Sequence, residues 1–126
     1  MAPLRILIAD DVPVVRSSIR SLLQPHEDWI ICGEAADGTE AVEMAGELKP
    51  DVILLDISMP KLDGLAALPL IREKSPNSQI IILTLHESLD TARIASKAGA
   101  AAYICKSLSN ELLPTIEALQ PGEAST

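Results

Sequence analysis

The sequence predicts an α/β fold in which a parallel sheet of five strands is covered on both faces by five helices. Five short apolar runs recur along the 126 residues, and each is followed by a segment whose apolar residues have helical spacing. Such alternation produces right-handed strand-helix-strand crossovers, which align the strands in parallel. The composition agrees, because a chain with no Phe, one Trp and one Tyr must build its core from aliphatic residues, as doubly covered parallel sheets do.

The strands are predicted from runs of β-forming residues that stop at a polar residue or a turn. The first is "LRILIA", after which the chain turns through two adjacent aspartates. The predicted limits are Leu4 to Ala9, Trp29 to Glu34, Val52 to Leu55, Gln79 to Thr84 and Ala101 to Cys105.

The helices are predicted from apolar spacing and from the residues at their ends. Pro13 suits the first turn of the first helix, and Asp37 with Glu40 forms a capping pattern ahead of the second. Pro69 and Pro114 fall in the third and fifth helices, where we expect a bend and a distorted first turn, respectively. The helical segments are Pro13 to Leu23, a second one containing Ala41, Ala45 and Leu48, and then about Leu65 to Lys74, Leu89 to Ala98 and Asn110 to Leu119.

The length and composition indicate one domain over residues 1–119, followed by a linker or disordered tail over 120–126, "QPGEAST".

A net charge of −8 argues against nucleic-acid binding by this chain alone and favours a cationic partner or a metal. No apolar run is long enough to span a membrane, and "MAPLRILI" lacks the pattern of a signal peptide, so we expect a cytoplasmic protein. Cys32 and Cys105 fit a reducing compartment and fall on opposite edges of the predicted sheet, too far apart for a disulfide.

Polar residues stand at the carboxyl ends of four predicted strands: Asp10 and Asp11 after the first, Asp56 after the third, Thr84 at the end of the fourth and Lys106 after the fifth. A five-stranded doubly wound sheet favours the flavodoxin-like order 2-1-3-4-5, in which ligands bind beyond these ends. The first and third strands are then neighbours, so the three carboxylates are expected about 5 Å apart.

Three carboxylates opposite one ammonium leave excess negative charge, and hard oxygen ligands in an open crevice favour Mg²⁺. A carboxylate beside Mg²⁺ can attack a phosphoryl donor and form an aspartyl phosphate. Asp56 is the candidate nucleophile because it faces the centre of the crevice. Lys106 and the Thr84 hydroxyl are expected to hold the phosphate oxygens.

The chain resembles the receiver domain of bacterial two-component response regulators over essentially residues 4–119. The resemblance rests on an ordered set of motifs rather than on any one of them. Segments such as "ADDVPVVRSSIRSLL", "LTLHES" and "GAAAYICKSLSNELL" are similar to the NarL/FixJ-type subgroup, in which the receiver usually precedes a helix-turn-helix DNA-binding domain with LuxR-type output. The matching residues are the pair Asp10 and Asp11, Asp56 with "DISMPKLDG", Thr84, Tyr103 and Lys106.

The resemblance implies a switch driven by a sensor histidine kinase, which would donate a phosphoryl group to Asp56. It also implies that Asp11, Asp56 and the backbone carbonyl of Ser58 ligate Mg²⁺, while Asp10 holds a metal-bound water. Such a domain is not an enzyme beyond its own phosphorylation and dephosphorylation.

The resemblance further implies how the switch is read. Thr84 would move toward the phosphate, Lys106 would pair with it, and Tyr103 would change rotamer in step. The surface of the fourth helix, fifth strand and fifth helix, where family members form homodimers or release an output domain, would change with them. DNA would be contacted only through an output domain outside this chain, and no membrane partner is implied.

Other functions remain open from the sequence. A haloacid-dehalogenase-type hydrolase also forms an aspartyl phosphate with Mg²⁺, but it would need a general acid at the position of Ser58. A nucleotide or flavin binder would need a Gly-rich or hydroxyl-rich loop at the position of the acidic pair, to offer N–H groups to phosphate. A receiver that binds partners without phosphorylation, and a stand-alone single-domain regulator acting by protein contact, are the remaining alternatives.

Overall fold

A computed structural model of the chain describes residues 3–85, 88–105 and 111–119. Strands and helices alternate along these residues, as the sequence predicts. The strands are β1 (Leu4–Ala9), β2 (Trp29–Ala35), β3 (Val52–Asp56), β4 (Gln79–Thr84) and β5 (Ala102–Cys105). The helices are α1 (Pro13–Leu23), α2 (Gly38–Leu48), α3 (Gly64–Lys74), α4 (Leu89–Lys97) and α5 (Leu112–Ala118).

The sheet has the order β2-β1-β3-β4-β5, with every neighbouring pair parallel, so the predicted fold class and strand order are confirmed. The order reverses between β1 and β3, which opens a crevice at the carboxyl ends of these two strands. The predicted linker at 120–126 lies outside the described residues.

Two aliphatic cores lie on the two faces of the sheet, because successive strand residues point to opposite sides. Leu7 and Ile53 belong to the core beneath α2, α3 and α4. Ile6 and Leu54 belong to the core beneath α1 and α5. All four side chains are fully buried, so the central strands are rigid supports for the residues at their ends.

The pairing of β1 with β2 contains an irregularity that the sequence pattern does not reveal. Ile6 pairs with Ile31, but the next residue, Leu7, pairs with Gly33, so the register skips Cys32. The extra residue in β2 is a β-bulge, which increases the local twist of the strand. Beyond it, the register carries Glu34 alongside Ile8, near the end of β1.

Aspartate side chains cap the amino ends of α2 and α3. At the start of α2, the Asp37 carboxylate accepts a hydrogen bond from the Glu40 N–H at 2.8 Å, and the Glu40 carboxylate accepts one from the Ala36 N–H at 2.7 Å. The bond from Glu40 N–H holds the pKa of Asp37 below its ordinary value. Asp63 caps α3 by accepting a hydrogen bond from the Ala66 N–H at 2.8 Å, and α3 continues through Pro69 as one helix from Gly64 to Lys74. The expected bend at Pro69 and distortion at Pro114 stay predictions.

At the opposite end of the sheet, the indole of Trp29 stacks on the imidazole of His26, with ring centroids 3.7 Å apart and planes 3° from parallel. Trp29 begins β2 beside Leu4, the first residue of β1. None of the described helices combines the length and the apolar character that crossing a membrane requires.

Candidate functional site

Three carboxylates meet at the crevice between β1 and β3. Asp10 follows the last residue of β1 directly, Asp11 comes next, and Asp56 is the last residue of β3. One carboxylate oxygen from each lies within 4.8 Å of those from the other two. The structure thus brings together the acids that the strand order led us to expect.

The three negative charges of this cluster repel one another, and burial strengthens the repulsion. Asp10 is fully buried and Asp56 is 3% exposed, whereas Asp11 is more open to solvent. Backbone donors offset part of the cost: the Val12 N–H donates to Asp10 Oδ1 at 2.9 Å, and the Ser58 N–H to Asp56 Oδ1 at 3.4 Å. The donor set is entirely carboxylate oxygen and has an open side, which fits Mg²⁺ better than a softer metal.

The turn that carries Asp10 and Asp11 is held by its backbone on both sides. The Asp10 N–H donates to the Ala35 carbonyl at 3.0 Å, and Arg16 Nη1 donates to the Asp10 carbonyl at 2.6 Å. Arg16 lies one turn into α1, so its side chain can reach back to the residues before the helix. No motif in the sequence marks Arg16 as part of the site.

Glu34 on β2 anchors this arginine. Its carboxylate lies 3.3 Å from Arg16 Nε and 3.0 Å from Arg20 Nε. Arg16 and Glu34 are largely shielded, with side chains 18% and 27% exposed, whereas Arg20 is 47% exposed. No local pattern could reveal this contact, because the bulged register of β2 brings Glu34 to α1.

The loop after Asp56 packs so closely that two positions require glycine. A Cβ added at Gly64 would lie 2.2 Å from the carbonyl oxygen of Asp56, and one added at Gly38 would lie 1.8 Å from that of Leu62. Lys61 in this loop has a positive φ of 68° and pairs with Asp37 at 3.6 Å. The loop beside Asp56 is therefore fixed against both α3 and the start of α2.

Thr84 and Tyr103 occupy the next two strands. Thr84 ends β4, is 8% exposed and pairs in register with Cys105, while Tyr103 on β5 pairs with Ile82. Tyr103 also borders an open cleft of about 440 Å³, whose described lining includes Leu89 and Ala92 of α4. Lys106, the remaining predicted site residue, lies outside the described residues.

Comparisons with known proteins match most of the chain to one family. Residues 6–117 match the family model described as the response regulator receiver domain. The nitrate/nitrite response regulator protein NarL of Escherichia coli strain K12 is 35% identical over 122 residues, which cover 96% of this chain and 56% of that protein. The chain thus spans about half the length of the curated relatives it matches.

Solved structures show the same fold. The crystal structure of a LuxR-family two-component response regulator from Aurantimonas sp. SI85-9A1 has a TM-score of 0.88 and 34% identity, covering 94% of this chain and 85% of that chain. The crystal structure of the CheX-CheY-BeF₃-Mg²⁺ complex from Borrelia burgdorferi has a TM-score of 0.87 and 28% identity, covering 94% of this chain and 90% of that chain.

Proposed function

The chain belongs to the response regulator receiver family. From this membership we propose that it is a signalling switch activated by phosphorylation of Asp56. The observation that carries the proposal is the cluster of Asp10, Asp11 and Asp56, in which one oxygen of each carboxylate lies within 4.8 Å of the others. Two of these three carboxylates are buried, and three negative charges held this close together favour a bound cation.

Asp56 is the proposed phosphoryl acceptor because it ends the central strand β3 and faces the other two acids. A carboxylate oxygen of Asp56 forms a bond to phosphorus as the bond from phosphorus to the donor histidine nitrogen of a sensor kinase breaks. The electron pair stays on that nitrogen. The rigid β3 strand and the packed loop at Gly64 hold the attacking oxygen in place, which lowers the barrier through orientation.

The cation proposed for the site is Mg²⁺, held by Asp11, Asp56 and the backbone carbonyl of Ser58, with Asp10 acting through a bound water. When bound, Mg²⁺ supplies the positive charge that offsets the carboxylates and the phosphoryl oxygens. The similar Borrelia burgdorferi complex contains Mg²⁺ together with BeF₃, which supports the same ion here. Thr84 and Lys106 are proposed to donate hydrogen bonds to the remaining phosphoryl oxygens.

The readout is proposed to pass through Tyr103. Tyr103 borders the open cleft of about 440 Å³ beside α4, which leaves room for a change of rotamer. Phosphorylation would favour one of two arrangements of Thr84 and Tyr103, through contacts that differ between them. The surface of α4, β5 and α5 would then support a homodimer or release a DNA-binding output domain, since relatives such as NarL are longer regulators.

The experiment that tests this function is phosphorylation by a small donor. Incubation with acetyl phosphate and Mg²⁺ should add one phosphoryl group to the wild-type protein, measured by intact mass, and Asp56→Ala should abolish the addition. Asp28→Ala is the matched control, because Asp28 is exposed before β2 at the far end of the sheet and should leave phosphorylation unchanged.

Two outcomes would contradict the proposal. One is a wild-type protein that stays unmodified, and the other is a label that persists in Asp56→Ala. Sustained release of phosphate from many phosphate esters per protein would instead favour the hydrolase alternative. The match to the receiver family supports the switch over that alternative.

A further inference from the structure

Arg16 touches the acidic cluster through the main chain rather than through a carboxylate. Its Nη1 atom donates to the carbonyl oxygen of Asp10 at 2.6 Å. That carbonyl belongs to the peptide bond joining Asp10 to Asp11. Because a peptide bond is planar, fixing its oxygen also fixes the N–H and the Cα of Asp11. Arg16 therefore helps to fix the position of the Asp11 Cα, from which the Asp11 side chain extends.

A second contact holds the guanidinium in place. Arg16 Nε lies 3.3 Å from Glu34 Oε1, so one planar group bridges a carboxylate on β2 and a carbonyl after β1. Arginine suits this task because its donors lie in a rigid fork, which lysine cannot reproduce. Both side chains are largely shielded from solvent, so competition from water at this contact is limited.

We propose that Arg16, anchored by Glu34, is a positioning residue that presents Asp11 to the divalent cation. The proposal rests on the proposed function, in which Asp11 is a Mg²⁺ ligand. It assigns to two residues outside the acidic cluster a share of the Mg²⁺ affinity, which outer-shell partners of metal ligands commonly control.

Simple electrostatics makes the opposite prediction. Arg16 carries a positive charge close to a proposed cation site, so its removal should tighten Mg²⁺ binding if repulsion were its main effect. If positioning dominates, its removal should weaken binding. The sign of the change in the Mg²⁺ dissociation constant therefore separates the two accounts.

The test is calorimetric titration of the full chain with Mg²⁺, well below its unfolding temperature. Arg16→Gln and Glu34→Gln should each raise the dissociation constant about tenfold, the lower end of the range for such partners. The double variant should match Arg16→Gln, because Glu34 acts through Arg16. Arg16→Lys should weaken binding as well, since a lysine has no fork to bridge both partners.

Arg20→Gln is the matched control. Arg20 pairs with the same Glu34 carboxylate but is more exposed, and both its ion pair and its side-chain hydrogen bond are with Glu34. Its loss should change the dissociation constant by about twofold at most, as expected for an exposed ion pair. A tenfold effect of Arg20→Gln would overturn the assignment, because the loss of any neighbouring charge would then suffice.

A second measurement needs no metal. In metal-free protein, Arg16→Gln should speed hydrogen exchange about tenfold at the amides of Asp10 and Val12, whose hydrogen bonds hold the turn, while the amide of Leu54 in β3 should keep its wild-type rate. A general loss of stability would speed all three amides instead, and that result would contradict a positioning role.

The remaining outcomes are decisive as well. Unchanged or tighter Mg²⁺ binding by Arg16→Gln or by Glu34→Gln would overturn the proposal, and so would wild-type affinity in Arg16→Lys. If Arg16→Gln does not fold, the Mg²⁺ dissociation constant of Glu34→Gln alone tests the proposal. If the wild-type protein itself does not bind Mg²⁺, the proposed function fails, while the exchange rates of the metal-free protein still test whether Arg16 holds the turn.

Discussion

The three carboxylates of the site differ in surroundings although they share one residue type. Asp10 is fully buried, and its Oδ1 accepts the Val12 N–H at 2.9 Å, whereas Asp11 is the more open one. Because the Asp10 carboxylate already accepts a backbone hydrogen bond within the turn, it is less free to bind an ion directly. This difference supports the assignment of Asp11 as a direct ligand and of Asp10 as a partner that acts through water.

Removing Asp11 should therefore weaken Mg²⁺ binding more than removing Asp10. We expect Asp11→Asn to raise the dissociation constant by at least about tenfold, and Asp10→Asn to raise it less. Asparagine keeps the size of the side chain and an acceptor oxygen for the Val12 N–H, so the fold is preserved in both variants. Calorimetric titration measures both constants, with Asp28→Asn as the control, and a larger effect at Asp10 would reverse the two roles.

Among individual residues, the sequence predicts the three aspartates of the site but not the residues that hold them in place. Asp10, Asp11 and Asp56 could be found because each stands at the end of an apolar run, and strand order alone brings such ends together. Arg16 and Glu34 could not be found in this way. Their contact depends on a register shift between β1 and β2, and no pattern within either strand encodes that shift.

The helices and strands show most clearly what sequence patterns determine. Most predicted limits agree with the structure within one residue: β2 continues to Ala35 rather than Glu34, and β5 begins at Ala102 rather than Ala101. Apolar residues that repeat every two or every 3.6 positions show which face of a strand or helix is buried, so they identify its central residues well. The bulge opposite Ile6 and Leu7 escaped prediction because it depends on pairing between strands.

Helix α2 offers a paired test of local packing. A Cβ at Gly38 would lie 1.8 Å from the Leu62 carbonyl oxygen, and a backbone atom cannot move aside cheaply. A Cβ at Gly46 would meet nothing closer than the flexible Lys74 side chain, at 3.4 Å, among the described residues. Gly38→Ala should lower the free energy of unfolding by about 1–3 kcal/mol. Gly46→Ala should raise it by about 0.5–1 kcal/mol, since alanine favours a helix interior.

Urea denaturation measures both changes, and each variant is the control for the other. Equal effects of the two substitutions would mean that helix propensity, rather than contact with the loop at Leu62, decides stability at this end of α2. A stabilising effect of Gly38→Ala would contradict the close approach itself.

For the whole molecule, the strand order could be predicted from the number of strands and their parallel arrangement, and it is confirmed. The proposed homodimer is a separate question, since it depends on the outer surface. Leu89 of α4 is 80% exposed and borders the cleft at Tyr103. An apolar side chain so open to water has free energy to gain from burial against a second copy.

Leu89→Ser should therefore weaken dimer formation by the phosphorylated protein about tenfold, while phosphorylation of Asp56 proceeds as in the wild type. Ile94→Ser is the matched control, because Ile94 is 55% exposed on the same helix but is not among the described residues that line the cleft. Sedimentation velocity with and without acetyl phosphate gives the dimer fraction. Equal loss of dimer in both variants would mean that apolar character of α4 in general, rather than the side of α4 that borders the cleft, drives association.

The stacked pair of Trp29 and His26 has an optical consequence. The chain has one Trp, and it starts β2 at the amino end of the sheet, roughly 15–20 Å from the acids according to the rise of a six-residue strand. Indole emission therefore records melting of the corner between α1 and β2 and carries little information about ion binding. It supplies an internal reference for unfolding, against which a dye attached near α4 can report the switch.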